Sequence, residues 1–393
     1  MTGEPTSETR QRIYLDHAAT GWPKPPAVYD AMDSFARQIG ASAGRGAYRS
    51  ASIADDIVAS CRRRLARLVN NPSPQNIAFF SNGTTALNAA LLGVIGDGDH
   101  VVTTAIEHNS VLRPLDWLVR NRGVKLDVVE CDGCGRVDPA SIQQRLRPST
   151  RLVAISHASN VTGAVQDLTA IGALVRDRET LFLCDAAQTL GYWPIDVQAS
   201  GIDILAAPGH KGAWGPLGTG MLALSDNAAR QIKPTIFGGT GSISQQLEMP
   251  SSMPGMLEAG NLNVTAIAGW EAGLRELASM DWRAKLDDQR RIASRLCQVT
   301  SQIEGARAIA GGDLPIVSLI FDAGDLAMVA TLLDSEFGIE VRSGLHCAAL
   351  VHDFLGSAPL GTLRISGGHG TTLDELDRLG AALKEIAIEL QLG

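Results

Sequence analysis

Residues 181–212 read LFLCDAAQTLGYWPIDVQASGIDILAAPGHKG, and this stretch decides the fold. Two short runs, Leu181–Asp185 and Ile202–Ala206, carry apolar side chains largely at consecutive positions rather than alternate ones. That pattern belongs to strands covered on both faces, as in a parallel sheet. Each run leads into a loop of small residues holding an ionisable group: Asp185 closes the first and Lys211 follows the second. Open α/β sheets place their ligands beyond such carboxyl ends.

The same grammar extends in both directions. Strand-like runs recur at Ile77–Ser81, His100–Thr104, Leu126–Val129 and Leu152–Ser156. Between them lie helical patterns at Thr85–Ile95, Val111–Asn121, Pro139–Leu146 and Leu168–Arg178. The alternation predicts an α/β fold, a mostly parallel sheet wrapped by helices. Residues 235–263 lose periodicity and are dense in Gly, Ser and Pro; a stretch of that length in a compact domain is usually functional. One long helical pattern runs from about Val264 to Gln302. The tail, 315–393, predicts a smaller α+β domain with strands Pro315–Phe321 and Thr362–Ser366 and helices Leu326–Phe337 and Leu373–Leu390. A strand Ile13–Asp16 and the helix after Pro25 are expected to lie against one of the two domains. The expected division is an arm over 1–25, a large domain over 26–263 and a small C-terminal domain over 264–393.

Composition removes other classes. The chain has 393 residues, 45% hydrophobic, enough for a full core and two or three domains. Its 34 Lys+Arg against 42 Asp+Glu give a net charge of −8 with no basic block, a poor match to nucleic acid. No apolar run reaches the roughly 18 residues of a membrane span. The polar start, MTGEPTSETRQR, lacks a signal-peptide apolar region, so a cytoplasmic location is expected. The six cysteines show no framework spacing and read as reduced thiols. Cys131-Asp-Gly-Cys134 is formally C-x-x-C, but no second ligand pair follows it, so no metal site is expected.

Six segments could carry chemistry. In Pro208-Gly-His-Lys-Gly212, the amine of Lys211 could form a Schiff base with an aldehyde cofactor, or could be a solvated loop lysine. Asp185 could meet a cationic pyridine nitrogen or cap a helix. In Ser81-Asn-Gly83-Thr84-Thr85, a turn opens a helix whose N–H groups and hydroxyls could cradle a phosphate, or simply form a cap. His108, in Glu107-His-Asn-Ser110, could stack on a planar cofactor or serve as a helix-start residue. Cys347 follows His346 and lies five residues after Arg342, so neighbouring positive charge could favour its thiolate; a small buried thiol is the alternative. Arg364, in Gly361-Thr-Leu-Arg364-Ile-Ser366, could present its planar fork to a carboxylate or face solvent.

In chain order these segments resemble the class V aminotransferase group of fold-type-I pyridoxal phosphate enzymes, most closely the Suf-type (group II) cysteine desulfurase and selenocysteine lyase family. The matching stretches include YLDHAAT (14–20), GRGAYRSA (44–51), GTTALN (83–88), EHNSVLRPL (107–115), SHASNVTG (156–163), DAAQ (185–188), GHKGAWGPLGTG (209–220), FGGTGS (237–242), EAGNLN (258–263), VRSGLHCA (341–348) and GTLRIS (361–366). They span the chain from about residue 13 to its end.

The resemblance implies pyridoxal 5′-phosphate as cofactor, bound by the large domain through Lys211 as a Schiff base. It implies that Asp185 pairs with the pyridine nitrogen, that His108 stacks on the ring and that Gln188 and Asn160 contact its oxygen. Gly83, Thr84, Thr85 and His210 would hold the phosphate, with Gly239, Thr240 and Asn261 offered to a partner subunit's phosphate in a homodimer. Arg364, with Asn160 and Arg342 nearby, would bind the substrate carboxylate, and Cys347 would be the nucleophile that becomes a persulfide. The implied reaction converts L-cysteine, or selenocysteine, to L-alanine and passes sulfur to an acceptor protein or thiol, as in iron–sulfur cluster assembly. A lyase using β-elimination, or an aminotransferase or epimerase, uses the same scaffold without a persulfide. Three positions depart from the family pattern. Pro208 stands where Ser or Thr is usual, Asn261 where Thr is usual, and Ser366-Gly-Gly-His-Gly-Thr371 replaces a segment with an aromatic residue and Asn.

Overall fold

A computed structural model of the chain describes residues 12–44, 46–241, 245, 247–322 and 324–390. The polar N-terminal residues 1–11 and two motif positions, Arg45 and Ser242, lie outside the described residues. The first half runs β1 (Ile13–Tyr14), α1 (Pro26–Gln38), α2 (Arg49–Leu68), β2 (Ile77–Phe80), α3 (Gly83–Val94), β3 (His100–Thr104), α4 (Asn109–Arg122), β4 (Lys125–Val129), α5 (Pro139–Arg145), β5 (Thr150–Ser156), α6 (Leu168–Val175), β6 (Leu181–Asp185), β7 (Ile204–Pro208), β8 (Gly220–Leu224) and α7 (Asp226–Gln231). The rest runs α8 (Val264–Ala278), α9 (Trp282–Thr300), β9 (Ala306–Ala310), β10 (Ile316–Phe321), α10 (Leu326–Phe337), β11 (Ile339–Glu340), β12 (Arg342–Gly344), α11 (Val351–Leu355), β13 (Thr362–Ser366) and α12 (Leu373–Glu389).

The large sheet has the order β2-β8-β7-β6-β5-β3-β4, and only β8 runs against its neighbours. The consecutive apolar residues have the expected cause. Val102, Val153, Ile155, Phe182, Cys184 and Leu205 enter one core, while Val101, Leu152, Ala154, Leu181, Leu183 and Ile204 enter a second on the opposite face. Because the strands are parallel, the loops after β2, β3, β5, β6 and β7 emerge along one edge. The chemistry-bearing residues therefore converge although 128 positions separate Gly83 from Lys211.

Two expectations are corrected. The strand expected at Ile202–Ala206 is shifted to Ile204–Pro208, so Pro208 ends the strand instead of opening the loop. The single helix expected over 264–302 is two. Asp281 caps α9, accepting from Arg283 N at 2.9 Å, and a Ser279–Asp281 turn separates it from α8. The packing changes at this turn, not at residue 264. Val264, Ile267, Trp270, Leu274 and Leu277 of α8 share a core with the large sheet and with Leu65 of α2. Ile292 and Leu296 of α9 instead join the small core, with Val317, Leu319, Ile365, Leu379 and Leu383. We propose the domain division at this turn.

The small antiparallel sheet has the order β12-β13-β10-β9. The N-terminal arm belongs to both halves. Ile13 and Leu15 are in the small core, β1 pairs with β11, and Asp16 bridges to Ser366. Residues 20–24 then cross to the loop holding Lys211: Gly21 N donates to the His210 carbonyl at 3.0 Å, as does Thr20 Oγ1 at 3.1 Å, and Lys24 Nζ joins them.

Gly191 shows how tightly that loop is backed. Its φ is +83°, and a Cβ there would lie 2.3 Å from the Gly212 carbonyl oxygen. Gly191→Ala is expected to destabilise the protein by about 2 kcal/mol or more, from left-handed strain plus overpacking. A urea unfolding midpoint equal to that of the unsubstituted protein would refute this account of the loop.

Candidate active site

One cavity of about 220 Å³ lies at the shared edge of the large sheet, and it collects Gly83, Thr84, His108, Asn160, Asp185, Gln188, His210, Lys211, Arg342 and Arg364. Each arrives for a local reason. Asn82 caps α3 by accepting from Thr85 N at 2.9 Å, which sets Gly83 and Thr84 at the first helical turn. Helix starts leave such N–H groups without intrahelical acceptors, ready for an anion. A Cβ on Gly83 would lie 3.0 Å from Pro208 Cδ, so the glycine lets β7 close the cavity floor. Thr85 turns its hydroxyl back to the Asn82 carbonyl at 2.9 Å and does not line the cavity.

His108 caps α4. Its Nδ1 accepts from Ser110 N at 3.0 Å and lies 2.9 Å from Ser110 Oγ, which is 2.7 Å from Thr84 Oγ1. With Nδ1 accepting from the backbone, the ring proton belongs on Nε2. Burial first, then the charge of Lys211, lowers the His108 pKa to about 4, so the ring is neutral and suited to stacking on a planar group.

Asp185 is 5% exposed at the end of β6, and Oδ1 accepts from Ala187 N at 2.9 Å. Burial raises its pKa, and among the described residues no cationic side chain lies within ion-pair distance of it. A buried carboxylate left so is costly unless a cation joins it, and a protonated pyridine nitrogen meets that need. The deeper Glu107, fully buried, accepts from Thr104 Oγ1 (2.6 Å), Ser156 N (2.9 Å) and Ser156 Oγ (2.7 Å). Burial lifts it to about 7 against those bonds.

Lys211 is partly buried. Burial, then the positive charge of Arg364, lowers its pKa to about 8, opposed by Asp185 and Asp16. Gln188 donates to the Ala18 carbonyl at 3.1 Å, and Asn160 to the His346 carbonyl at 2.7 Å. Arg364 is 1% exposed, donating to Asp16 Oδ1 at 2.6 Å and to the Asn160 carbonyl at 3.2 Å, with Nε buried and unpartnered. Arg342 is its register partner across β12 and β13. Two cations directly opposed on adjacent strands repel. Their convergence on a cavity makes sense as a place for an anion.

Cys347 lies beside the cavity, exposed, 4.0 Å from Arg342 Nη2. It lines an adjoining groove that shares Thr84, His108 and Ser110 with the cavity. His346 and Cys347 have φ of +50° and +57°, two successive non-glycine residues in the left-handed region. Such strain persists where the surroundings enforce it. Here Asn109 N holds the Cys347 carbonyl at 2.7 Å and Asn160 holds that of His346. His346 does not supply the positive charge expected from its place in the sequence. Burial lowers its pKa to about 2, and Nε2 is engaged with Thr362 at 3.0 Å. Gly239, Thr240 and Asn261 do not line this cavity, and Gly239 and Asn261 are exposed.

Sequence reasoning passed over Asp16, Glu107 and Ser110, although all three lie inside quoted motifs. It also read 235–263 as loose, whereas Glu258 accepts from Arg62 (2.9 and 3.0 Å) and Phe79 N (2.7 Å), and Met256 and Leu257 are buried.

The neutral histidines set a pH dependence. Burial lowers the pKa of His17 to about 4, of His157 to about 3 and of His210 to about 3, besides His108 and His346. A depressed histidine contributes stability that is present above the unfolded value near 6.5 and lost as pH falls from there toward the folded pKa. Burial lowers His352 and His369 as well, so the raised Glu107 and Asp185, which act in the opposite sense, are two groups against seven. The urea midpoint should therefore drop steeply between pH 6.5 and 4.5; a flat profile there would contradict neutral burial of these rings.

The site and fold define a class-V aminotransferase: that family's model matches residues 13–379, and the chain belongs to the family. Among curated relatives, a probable cysteine desulfurase of Methanothermobacter thermautotrophicus is 36% identical over 96% of this chain and 95% of its own length. One of Pyrococcus abyssi is 31% identical over 98% and 96%. Two solved structures superpose closely. The apo cysteine desulfurase from Thermococcus onnurineus NA1 has a TM-score of 0.88 at 28% identity, covering 96% of this chain and 95% of that one. The cysteine desulfurase CsdA from Escherichia coli has a TM-score of 0.87 at 27% identity, covering 96% and 95%.

Proposed function

We propose that this chain is a pyridoxal-phosphate-dependent cysteine desulfurase. One observation carries the reading: Lys211, the Asp185 carboxylate with no ion-pair partner among the described residues, and the Arg364–Arg342 pair share a cavity, and Cys347 stands beside it 4.0 Å from Arg342. Pyridoxal phosphate fits these residues, with Lys211 attaching it, Asp185 meeting its ring nitrogen, His108 on its face and Gln188 and Asn160 at its oxygen. Gly83, Thr84 and His210 would serve the phosphate, while Thr85 stays turned to the Asn82 carbonyl. When bound, the cofactor supplies an electron sink for charge released at the substrate Cα.

The chain's own residues do the rest. Arg364, with Arg342, binds the carboxylate of L-cysteine. Lys211, as free amine, takes the Cα proton. The Cys347 thiolate attacks the substrate sulfur, so that the Cβ–S bond breaks as the S–S bond forms. Protons returned to the carbon skeleton give L-alanine, and Cys347 is left as a persulfide for an acceptor protein or thiol. Sulfur supply for iron–sulfur cluster assembly in the cytoplasm is the role consistent with that product. Among the described residues no helix is long and apolar enough to cross a membrane.

Product analysis tests the reading. Incubation with L-cysteine and a reductant should release alanine and sulfide in equal amounts. Pyruvate in place of alanine would reassign the chain to a β-eliminating lyase.

A C2 homodimer completes the proposal. Ile236, Phe237 and Leu247 are 57%, 74% and 107% exposed in the segment that carries Gly239 and Thr240, an apolar surface of the kind an interface covers. Gly239, Thr240 and Asn261 would then approach the partner's phosphate. Sedimentation should show a dimer; a monomer with full activity would overturn this.

A further inference from the structure

We propose that Asp16 is a resident counter-charge that limits carboxylate affinity, holding the substrate-binding face of Arg364 until an α-carboxylate displaces it. The inference rests on the cavity being an amino-acid site and adds what sets the strength with which that site holds its ligand. Arg364 Nη2 donates to Asp16 Oδ1 at 2.6 Å, while Nη1 donates to the Asn160 carbonyl and Nε has no partner. The guanidinium therefore has one edge held by a carboxylate that is itself 20% exposed, and buried donor capacity left over. Arg342, across the strand pair, adds a second cation to the same place.

The main chain of Asp16 is fixed independently of its carboxylate. Its carbonyl accepts from Tyr14 Oη at 3.1 Å and Ala19 N at 3.0 Å, and it bridges to Ser366. The side chain is thus free to serve as a resident anion. A ligand with an α-carboxylate competes with Asp16 for the guanidinium, replacing one charge by another. A ligand with a neutral end does not displace Asp16, because that would leave a buried cation uncompensated. Asp16 in this way lowers the affinity for carboxylates and barely alters that for neutral analogues. It is a positioning residue acting through Arg364.

The test is a titration of the holoenzyme with L-alanine and, separately, L-alaninamide, followed by the visible spectrum of the cofactor. Asp16→Asn keeps an oxygen that can accept from Nη2 and removes the charge. It should tighten L-alanine binding by about tenfold, the scale of removing one nearby like charge, and change L-alaninamide binding by less than about twofold. Asp16→Glu should return L-alanine affinity toward the unsubstituted value. Unchanged or weaker L-alanine binding in Asp16→Asn overturns the proposal, as does a loss of both ligands. If Asp16→Asn fails to fold by thermal melting, Asp16→Ser makes the same comparison. Failure of both to fold also counts against a charge role. An unsubstituted holoenzyme that responds to no amino acid would instead sink the reading of the cavity itself.

Discussion

Lys211→Ala should yield a folded protein whose alanine release from cysteine falls by roughly three or more orders of magnitude. An ordinary lysine is almost wholly protonated at neutral pH. With its pKa lowered to about 8 by burial and by Arg364, Lys211 has about a quarter of its population as free amine at pH 7.5. That free amine is what an aldehyde cofactor captures and what a Cα proton needs. Lys24 and Lys285 are also shifted down, to about 8 and about 7, so low pKa alone does not select the residue. Geometry does, since of these three only Lys211 lines the cavity with Asp185 and His108. Borohydride reduction followed by peptide mapping should find the cofactor on Lys211, and label on Lys24 or Lys285 would overturn the assignment.

Cys347→Ser should separate sulfur transfer from cofactor binding. The substitution keeps the size but offers a hydroxyl that stays protonated at neutral pH. The bonds from Asn109 N and Asn160 Nδ2 to the carbonyls of this loop do not involve the thiol, so the loop should keep its shape. The cofactor spectrum should survive, while alanine release falls by about two or more orders of magnitude. Mass spectrometry of the unsubstituted enzyme after cysteine, without reductant, should find one added sulfur on the Cys347 peptide. Alanine release by the serine variant at the original rate would exclude a persulfide route.

The fold was legible because a parallel sheet buried on both faces writes itself as consecutive apolar residues. His100–Thr104 and Leu181–Asp185 of that sheet have the expected bounds, as does Thr362–Ser366 of the antiparallel one. Short edge elements such as β9 and β12 carry no such signal, and the α8–α9 break is marked only by a capping aspartate within a continuous helical period. The candidate site was legible where a residue type is rare in its setting, as with Lys211 or an acid ending an apolar strand. Asp16 and Glu107 were not, because their meaning depends on partners far away in sequence: Arg364 for the one, Ser156 for the other. His346 misled for the same reason. Its neighbours in sequence suggested charge, and its neighbours in space keep it neutral.

The arm that seats Asp16 against Arg364 has a consequence for biosynthesis. The two residues are separated by 348 positions, and β1 pairs with a strand near residue 339. At about 5–20 residues per second, roughly 20–70 seconds pass on the ribosome before the first strand can meet its partner. Throughout that interval Ile13 and Leu15 lack the small-core residues that cover them, and Asp16 lacks Arg364. A nascent large domain therefore lacks the Arg364 wall of its cavity until residues beyond about 364 have been made, so the competent pocket is assembled long after the sheet that floors it.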